Sequence, residues 1–187
     1  MDSKLQIISG TYRGRKLVLP DGARPTQNLA RGAVFNMLAE ILLEPYSKLA
    51  VWDAFAGSGA LGLEVLSRYQ NSTAIFTDTA DESLGAVQRN VAVFGARATV
   101  VNVDAIAAIK KYGAETNIIF IDPPYENSDL GVRFIKKLAE SARPGTIVVQ
   151  EIEKTVSYTP DETKWEILRD KTYGRARFLI LRRLDNK

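Results

Sequence analysis

The sequence predicts an α/β fold built on a mostly parallel sheet, with a small basic extension at its N-terminal end. Three observations carry this. From Leu49 onward, short apolar runs alternate with stretches of helical periodicity, the order of consecutive strand–helix units. The runs are nearly continuous in apolar residues, as strands covered on both faces must be. A glycine-rich turn follows the first run and acidic residues follow later ones, which is where open parallel sheets hold their ligands.

Taken in order, residues 5–8 and 16–19 are apolar runs around Gly10–Arg15 and read as a small basic β-hairpin. Pro20 and Asp21-Gly22 mark a turn. A helix is expected over 28–43, with Leu29, Ala33, Met37 and Ile41 along one face, Asn28 or Thr26 as its cap, and Pro45 beyond its end. Strands are expected at 49–55, 73–77, 99–103, 117–121 and 146–152, with helices near 59–69, 81–94, 104–112 and 129–140. The final runs, 165–173 and 176–182, meet at Gly174 as a terminal antiparallel hairpin. No repeat, low-complexity tract or long linker interrupts them. Residues 1–45 read as the extension and 46–187 as the main domain.

Composition narrows the chemistry. The 187 residues include no cysteine and no histidine. Disulfides, thiolate metal sites, cysteine nucleophiles and Ser-His-Asp triads are therefore out of reach, and any reaction must run on carboxylates, hydroxyls, amines, backbone groups or a cofactor. No metal is expected. The first residues hold no apolar core long enough for a secretion signal, and no later run approaches a membrane span, so a soluble cytoplasmic protein without membrane association is expected. Net charge is only +3, but residues 1–31 hold six Lys/Arg against two Asp, and residues 164–187 hold eight Lys/Arg against three acids. Basic ends around an acidic middle suit a polyanion held by the termini, or serve solubility alone.

The first motif runs Val51-Trp52-Asp53-Ala54-Phe55-Ala56-Gly57-Ser58-Gly59-Ala60-Leu61-Gly62, a strand passing through a glycine turn into a helix. Its amides suit a carboxylate and Asp53 suits an ammonium, the two groups at the methionine end of S-adenosylmethionine. The spacing also satisfies G-x-G-x-x-G, so a dinucleotide site is the competing reading. Asp78 follows the next strand, about 20 residues past the glycines, where an acid binds ribose hydroxyls in such folds; Thr79 adjoins it. Asp104, followed by Ala105, is placed to accept from an adenine amine. Either acid equally suits a helix cap.

The second motif, Ile118-Ile119-Phe120-Ile121-Asp122-Pro123-Pro124-Tyr125, ends the fourth strand. Two prolines stiffen the chain and remove two backbone donors. They present the Asp122 carboxylate and nearby carbonyls as a rigid row of acceptors, with Tyr125 beside them to stack on a base. An exocyclic base amine is a poor nucleophile because its lone pair is delocalised into the ring. Acceptors on both of its N–H groups favour a pyramidal nitrogen and localise that pair.

Together these residues resemble the RsmD family, the 16S rRNA guanine-N2 methyltransferases. The resemblance covers nearly the whole chain. It starts at Ile7-Ile8-Ser9-Gly10-Thr11-Tyr12-Arg13-Gly14-Arg15-Lys16-Leu17, continues through Arg24-Pro25-Thr26 and Phe35-Asn36, and is strongest at 53–64 and 122–125. It implies a Rossmann-like S-adenosylmethionine-dependent methyltransferase fold with seven strands, helices on both faces and a reversed terminal hairpin. It implies S-adenosylmethionine as donor, S-adenosylhomocysteine as product, and a guanine N2 in small-subunit rRNA as acceptor, free or in an assembling 30S particle. A monomer is expected. On this reading Asp53, Phe55, Ala56, Gly57, Ser58, Gly59, Asp78, Thr79, Asp104 and Ala105 bind the cofactor. Asp122, Pro123, Pro124 and Tyr125 are catalytic. Arg13, Arg15, Lys16, Arg24 and Arg31 grip RNA phosphates, with Arg175 and Arg177 assisting. The chain departs from the family's usual pattern at 27–32, where an arginine and two acids are missing, and at Asp78, where Glu is usual. Adenine-N6 methylation of DNA and a non-catalytic RNA-binding module are the alternatives. Cytosine-C5 methylation is excluded, because its usual route needs a cysteine.

Overall fold

The computed structural model describes residues 5–21, 28–42 and 48–185. Arg24, Thr26 and Pro45, and the boundary expected near residue 45, lie outside them. Seven strands form one sheet: β1 (Ala50–Asp53), β2 (Thr73–Asp78), β3 (Ala98–Asn102), β4 (Ile118–Ile121), β5 (Ile147–Glu153), β6 (Trp165–Tyr173) and β7 (Ala176–Arg183). Their order is β3-β2-β1-β4-β5-β7-β6. The first five are mutually parallel, and β7 enters antiparallel between β5 and β6.

The helices are α1 (Asn28–Ile41), α2 (Ala60–Arg68), α3 (Asp81–Phe94), α4 (Ala105–Tyr112) and α5 (Ser128–Leu138). Successive side chains of a strand point to opposite faces, and the core divides accordingly. Val51, Ile118 and Phe120 join the apolar cluster under α1, α2 and α3. Trp52, Ile119 and Ile121 join the cluster under α4 and α5. Both faces are thus covered, which is why these strands carry no polar alternation.

Residues 5–21 share the first of these cores: Leu5, Ile7 and Leu17 are buried with Val51, Phe76 and Phe120. They form a hairpin-like turn rather than two regular strands. One bridge joins Gln6 to Lys16, supported by Ile7 N–H donating to Arg15 O and Leu17 N–H donating to Leu5 O. The segment finds its remaining partners on α2 and α3. Ile8 and Ser9 N–H donate to the buried Glu64 carboxylate at 2.8 and 3.0 Å, and Tyr12 N–H donates to Ser67 Oγ at 2.9 Å.

Helix α1 buries a face that overlaps the expected one only in part: Met37 is buried and Ile41 packs against the core, but the stripe is rotated away from Leu29. Leu29 is 82% exposed, and the inward stripe is Ala30, Arg31, Val34, Phe35 and Leu38. The helix carries apolar residues around much of its circumference, and the phase is set by what it packs on, including the buried Glu64 beside Arg31.

Candidate active site at the β1–β4 seam

The strand order reverses between β1 and β4, and such a switch point opens a crevice at the carboxyl ends of the strands. Both motifs emerge there. Asp53 is in register with Phe120, so Asp122 leaves the adjacent strand two residues further on, with roughly 4.8 Å between strands. A cavity of about 340 Å³ occupies the crevice. Asp53, Phe55, Ala56, Gly57, Ser58 and Asp122 line it together, with Ala60 and Leu61 at the start of α2. Leu19, Pro20 and Asp21 of the N-terminal segment and Glu82 of α3 form the facing wall.

Asp53 ends β1 and is 2% exposed. Its Oδ2 accepts from Gly62 N–H at 3.0 Å. Burial pushes its pKa up to about 7; the Gly62 bond opposes this, and the nearby Asp78 charge adds to it. Beneath the site, Trp52 Nε1–H donates to Thr77 Oγ1, whose hydroxyl donates to Ala54 O, both at 2.9 Å. This ties the exit of β1 to β2. The turn itself needs glycine: Gly59 sits at φ +77°, and a Cβ there would lie 2.7 Å from Val87 Cγ2.

The loop's amides are mostly committed to the protein. Ala56 N–H donates to Thr77 O, Gly59 N–H to Ala56 O, and Gly57 N–H to Asp78 Oδ2. This corrects the expectation that they wait for a ligand carboxylate. The groups left facing the cavity are at the start of α2, where Ala60 and Leu61 have no intrahelical acceptor. Asp78, the acid expected at the ribose, belongs to the same loop network. It does not line the cavity, and its carboxylate accepts from Gly57, Thr79 and Ala80 N–H at 2.8–3.0 Å. Asp104 caps α4 through Ala107 N–H at 2.9 Å, the alternative role for an acid at that position. Gly59, Thr79, Asp104 and Ala105 also lie outside the lining.

In the second motif Asp122 is partly buried, Pro123 is buried and Pro124 exposed. Tyr125 begins a single 3-10 turn, Tyr125–Asn127; its side chain is outside the described residues. Asn127 N–H donates to Pro124 O at 2.9 Å, closing the turn. Helix α5 presses on this corner: a Cβ at Gly131 would lie 3.2 Å from Pro123 Cγ.

Of the expected RNA contacts, Arg13, Arg15 and Lys16 are exposed on the turn. Tyr12 stacks on Phe94 with centroids 5.2 Å apart, and the Arg15 guanidinium lies over both rings. Arg31 is a correction. It has no exposed surface, donates to Gln6 O, and lies 4.0 Å from Glu64 Oε2. Burial lowers its pKa, the Glu64 charge opposes that, and Arg68 adds to it. A guanidinium so enclosed locks the fold and offers nothing to a phosphate. Arg175 and Arg177 pair with Glu153 and Asp170 at 2.6 and 2.7 Å.

Reading the motifs alone missed Asp21 and Glu82 in the cavity wall, and Glu64, Ser67 and Asn90, which hold the N-terminal segment to α2 and α3. The available signal was polarity: Glu64 and Asn90 each interrupt the apolar face of a helix. Among the described residues four acids therefore line the cavity, Asp21, Asp53, Glu82 and Asp122, and the one base among them, Arg31, is enclosed. A cavity of this sign favours a cationic ligand and disfavours a pyrophosphate. The antiparallel β7 also separates the sheet from the all-parallel 3-2-1-4-5-6 order of dinucleotide folds.

The strand order and the paired loops define the S-adenosylmethionine-dependent methyltransferase fold. A candidate class I S-adenosylmethionine-dependent methyltransferase from Listeria monocytogenes shares that fold at 15% identity, with a TM-score of 0.68 over 88% of this chain and 64% of its own. A sequence-family model described as Conserved hypothetical protein 95 matches residues 5–182, and the chain belongs to that family, the RsmD family. It is 32% identical to the Ribosomal RNA small subunit methyltransferase D of Escherichia coli K12, over 96% of this chain and 90% of that protein. It superposes on the structure of a candidate Escherichia coli methyltransferase with a TM-score of 0.81 at 32% identity, covering 98% of this chain and 100% of that one.

Proposed function

We propose that this protein transfers a methyl group from S-adenosylmethionine to the exocyclic N2 amine of a guanine in small-subunit ribosomal RNA. One observation carries the reading: Asp53 with the glycine loop, and Asp122, from loops about 70 residues apart, line the same acid-rich cavity. The relatives named as small-subunit rRNA methyltransferases support rRNA as the acceptor. The exposed Arg13, Arg15 and Lys16 support a polyanion at the N-terminal turn.

The cavity's chemistry fits the cofactor. Asp53 keeps one carboxylate oxygen beyond its Gly62 bond for an ammonium, and the N-terminus of α2 suits a carboxylate. Glu82, which also lines the cavity, and Asp78, at the end of β2, are the acids proposed for the ribose hydroxyls. Phe55, held edge-on against Phe134 with centroids 5.7 Å apart, gives the wall a fixed apolar surface. When bound, S-adenosylmethionine supplies an electrophilic methyl group already activated by its sulfonium, so no metal or histidine is required.

On the acceptor side Asp122 accepts one N–H of the amine. Pro124 O already accepts from Asn127 N–H, which favours Pro123 O as the second acceptor. With both N–H groups held, the nitrogen lone pair is directed out of the ring plane and toward the cavity. Proline rigidity makes this alignment a property of the resting chain, and catalysis is then positioning and electrostatics. Tyr125 stacks on the base. The test is transfer of labelled methyl from S-adenosylmethionine to small subunits from cells lacking this gene, with the product base mapped. Label on a guanine N2 is expected. No transfer overturns the reading, and sequence-specific labelling of adenine N6 in DNA moves it to that alternative.

A further inference from the structure

We propose that Asn90 is a positioning residue that fixes the two walls of the cofactor cavity against each other; this rests on the S-adenosylmethionine reading above. Asn90 lies on α3 and is 2% exposed. Its Nδ2 donates to Ser58 O at 2.8 Å and to Val18 O at 3.0 Å, and its Oδ1 accepts from Val18 N–H at 2.8 Å. Ser58 belongs to the loop after β1. Val18 immediately precedes Leu19, Pro20 and Asp21, which form the facing wall.

One side chain thus holds both walls. Its amide pairs with Val18 as a neighbouring strand's peptide group would, and spends its second N–H on the cofactor loop. The partners dictate the orientation: reversing the amide would set its oxygen against two carbonyl oxygens and its NH2 against an N–H. Both donors are used, so the group has no spare hydrogen with which to form an alternative link. Asp78 anchors the same loop from the other side, through Gly57. The loop is therefore held by Asp78 at the end of β2 and by Asn90 on α3, and the Asn90 contact is the one that also holds the segment leading to Leu19, Pro20 and Asp21. The segment that Asn90 grips also carries Arg13, Arg15 and Lys16, so the RNA-facing turn and the cofactor pocket are joined through this residue.

Because Asn90 acts through Ser58 and Val18, its loss should appear in cofactor binding rather than in the transfer step. Asn90→Ala is expected to weaken S-adenosylhomocysteine binding at least about ten-fold, with kcat at saturating S-adenosylmethionine within about three-fold of the parent. Asn90→Asp keeps the shape but sets a carboxylate against two carbonyl oxygens. Protonation returns one donor, so its affinity should recover as pH falls, a response that general loss of stability would not give. Calorimetric titration with S-adenosylhomocysteine across neutral pH reads both variants. Hydrogen exchange at the Val18 amide, with and without S-adenosylhomocysteine, tests the parent protein whether or not the variants fold. Added protection at Val18 is expected. If the parent binds S-adenosylhomocysteine but Val18 exchange does not change, or if Asn90→Asp binds as the parent does at every pH, the inference about Asn90 is overturned. If the parent does not bind S-adenosylhomocysteine, the cofactor reading fails and takes this inference with it.

Discussion

At the scale of single residues, Asp53 is, on the proposed cofactor role, the clearest case of stability given up for binding. Its folded pKa is about 7 against an ordinary 3.8, with burial the main cause. The folded protein therefore holds a proton that the unfolded chain has already released. Stability of the ligand-free protein should fall as pH rises from about 4 to about 7, and level off above that. At neutral pH the cost is roughly 4 kcal/mol. Asp53→Asn can still accept from Gly62 and carries no charge. It should raise Tm at pH 7, flatten the pH dependence of Tm, and weaken S-adenosylhomocysteine binding, which melts with and without that ligand would show. Asp53 was legible as a candidate from its place at the end of a strand before a glycine turn. Its burial was not, because burial depends on β2, α2 and Trp52 closing around it. Asp78 illustrates the opposite limit: strand-end spacing marked the residue, but only the folded loop shows its carboxylate turned to Gly57, Thr79 and Ala80.

At the scale of elements, α2 links the glycine loop to the N-terminal segment. Glu64 on that helix has no exposed surface and accepts from Ile8 N–H, Ser9 N–H and Arg68 Nε. Removing its charge would leave Arg31 enclosed with less to balance it. Glu64→Ala should cost about 3–5 kcal/mol in denaturant melts, the range for breaking a buried ion pair from one side. Gly10 lets the turn lie directly on Ser67, where an added Cβ would collide with the backbone oxygen, and its φ of +83° disfavours any side chain. Gly10→Ala should detach the turn from α2, raising hydrogen exchange at Thr11, whose N–H donates to Ser67 O at 2.8 Å. Elements with one apolar period were legible: α3 and β6 have the bounds their patterns predict. Helix α1 emerges rotated from its expected stripe, with Met37 and Ile41 kept against the core and Leu29 turned out, since Leu29, Ala33, Val34, Phe35, Met37 and Leu38 offer two possible faces. The choice lies with the residues that cover it, and those come from distant parts of the chain.

At the scale of the whole molecule, the basic turn and the reacting site sit at different ends of α2. Tyr12 is bound by Ser67, near the helix's last residue, while the cofactor loop adjoins its first. Nine residues of helix separate them by roughly 12 Å. An RNA held at both places must span that distance. Reversing Arg13, Arg15 and Lys16 together should raise the RNA dissociation constant. It should also reduce the salt slope by about 0.7 for each single-strand phosphate that is no longer neutralised. S-adenosylhomocysteine binding should hardly change. An unchanged salt slope would place the RNA elsewhere. The parallel sheet and a terminal hairpin were visible in the order of apolar runs, and the reversal that sets β7 beside β5 was implied by the family resemblance. Convergence of residues 53–58 with Asp122 was an expectation from topology, and the register of β1 on β4 supplies its physical basis.

The most direct test compares methyl transfer to undermodified small subunits by the parent and by Asp122→Ala, with S-adenosylhomocysteine affinity measured on both. Asp122 is assigned to the acceptor amine and not to the cofactor, so transfer should fall at least about 100-fold while that affinity stays within about three-fold. An Asp122→Ala protein that methylates at the parental rate would contradict the account.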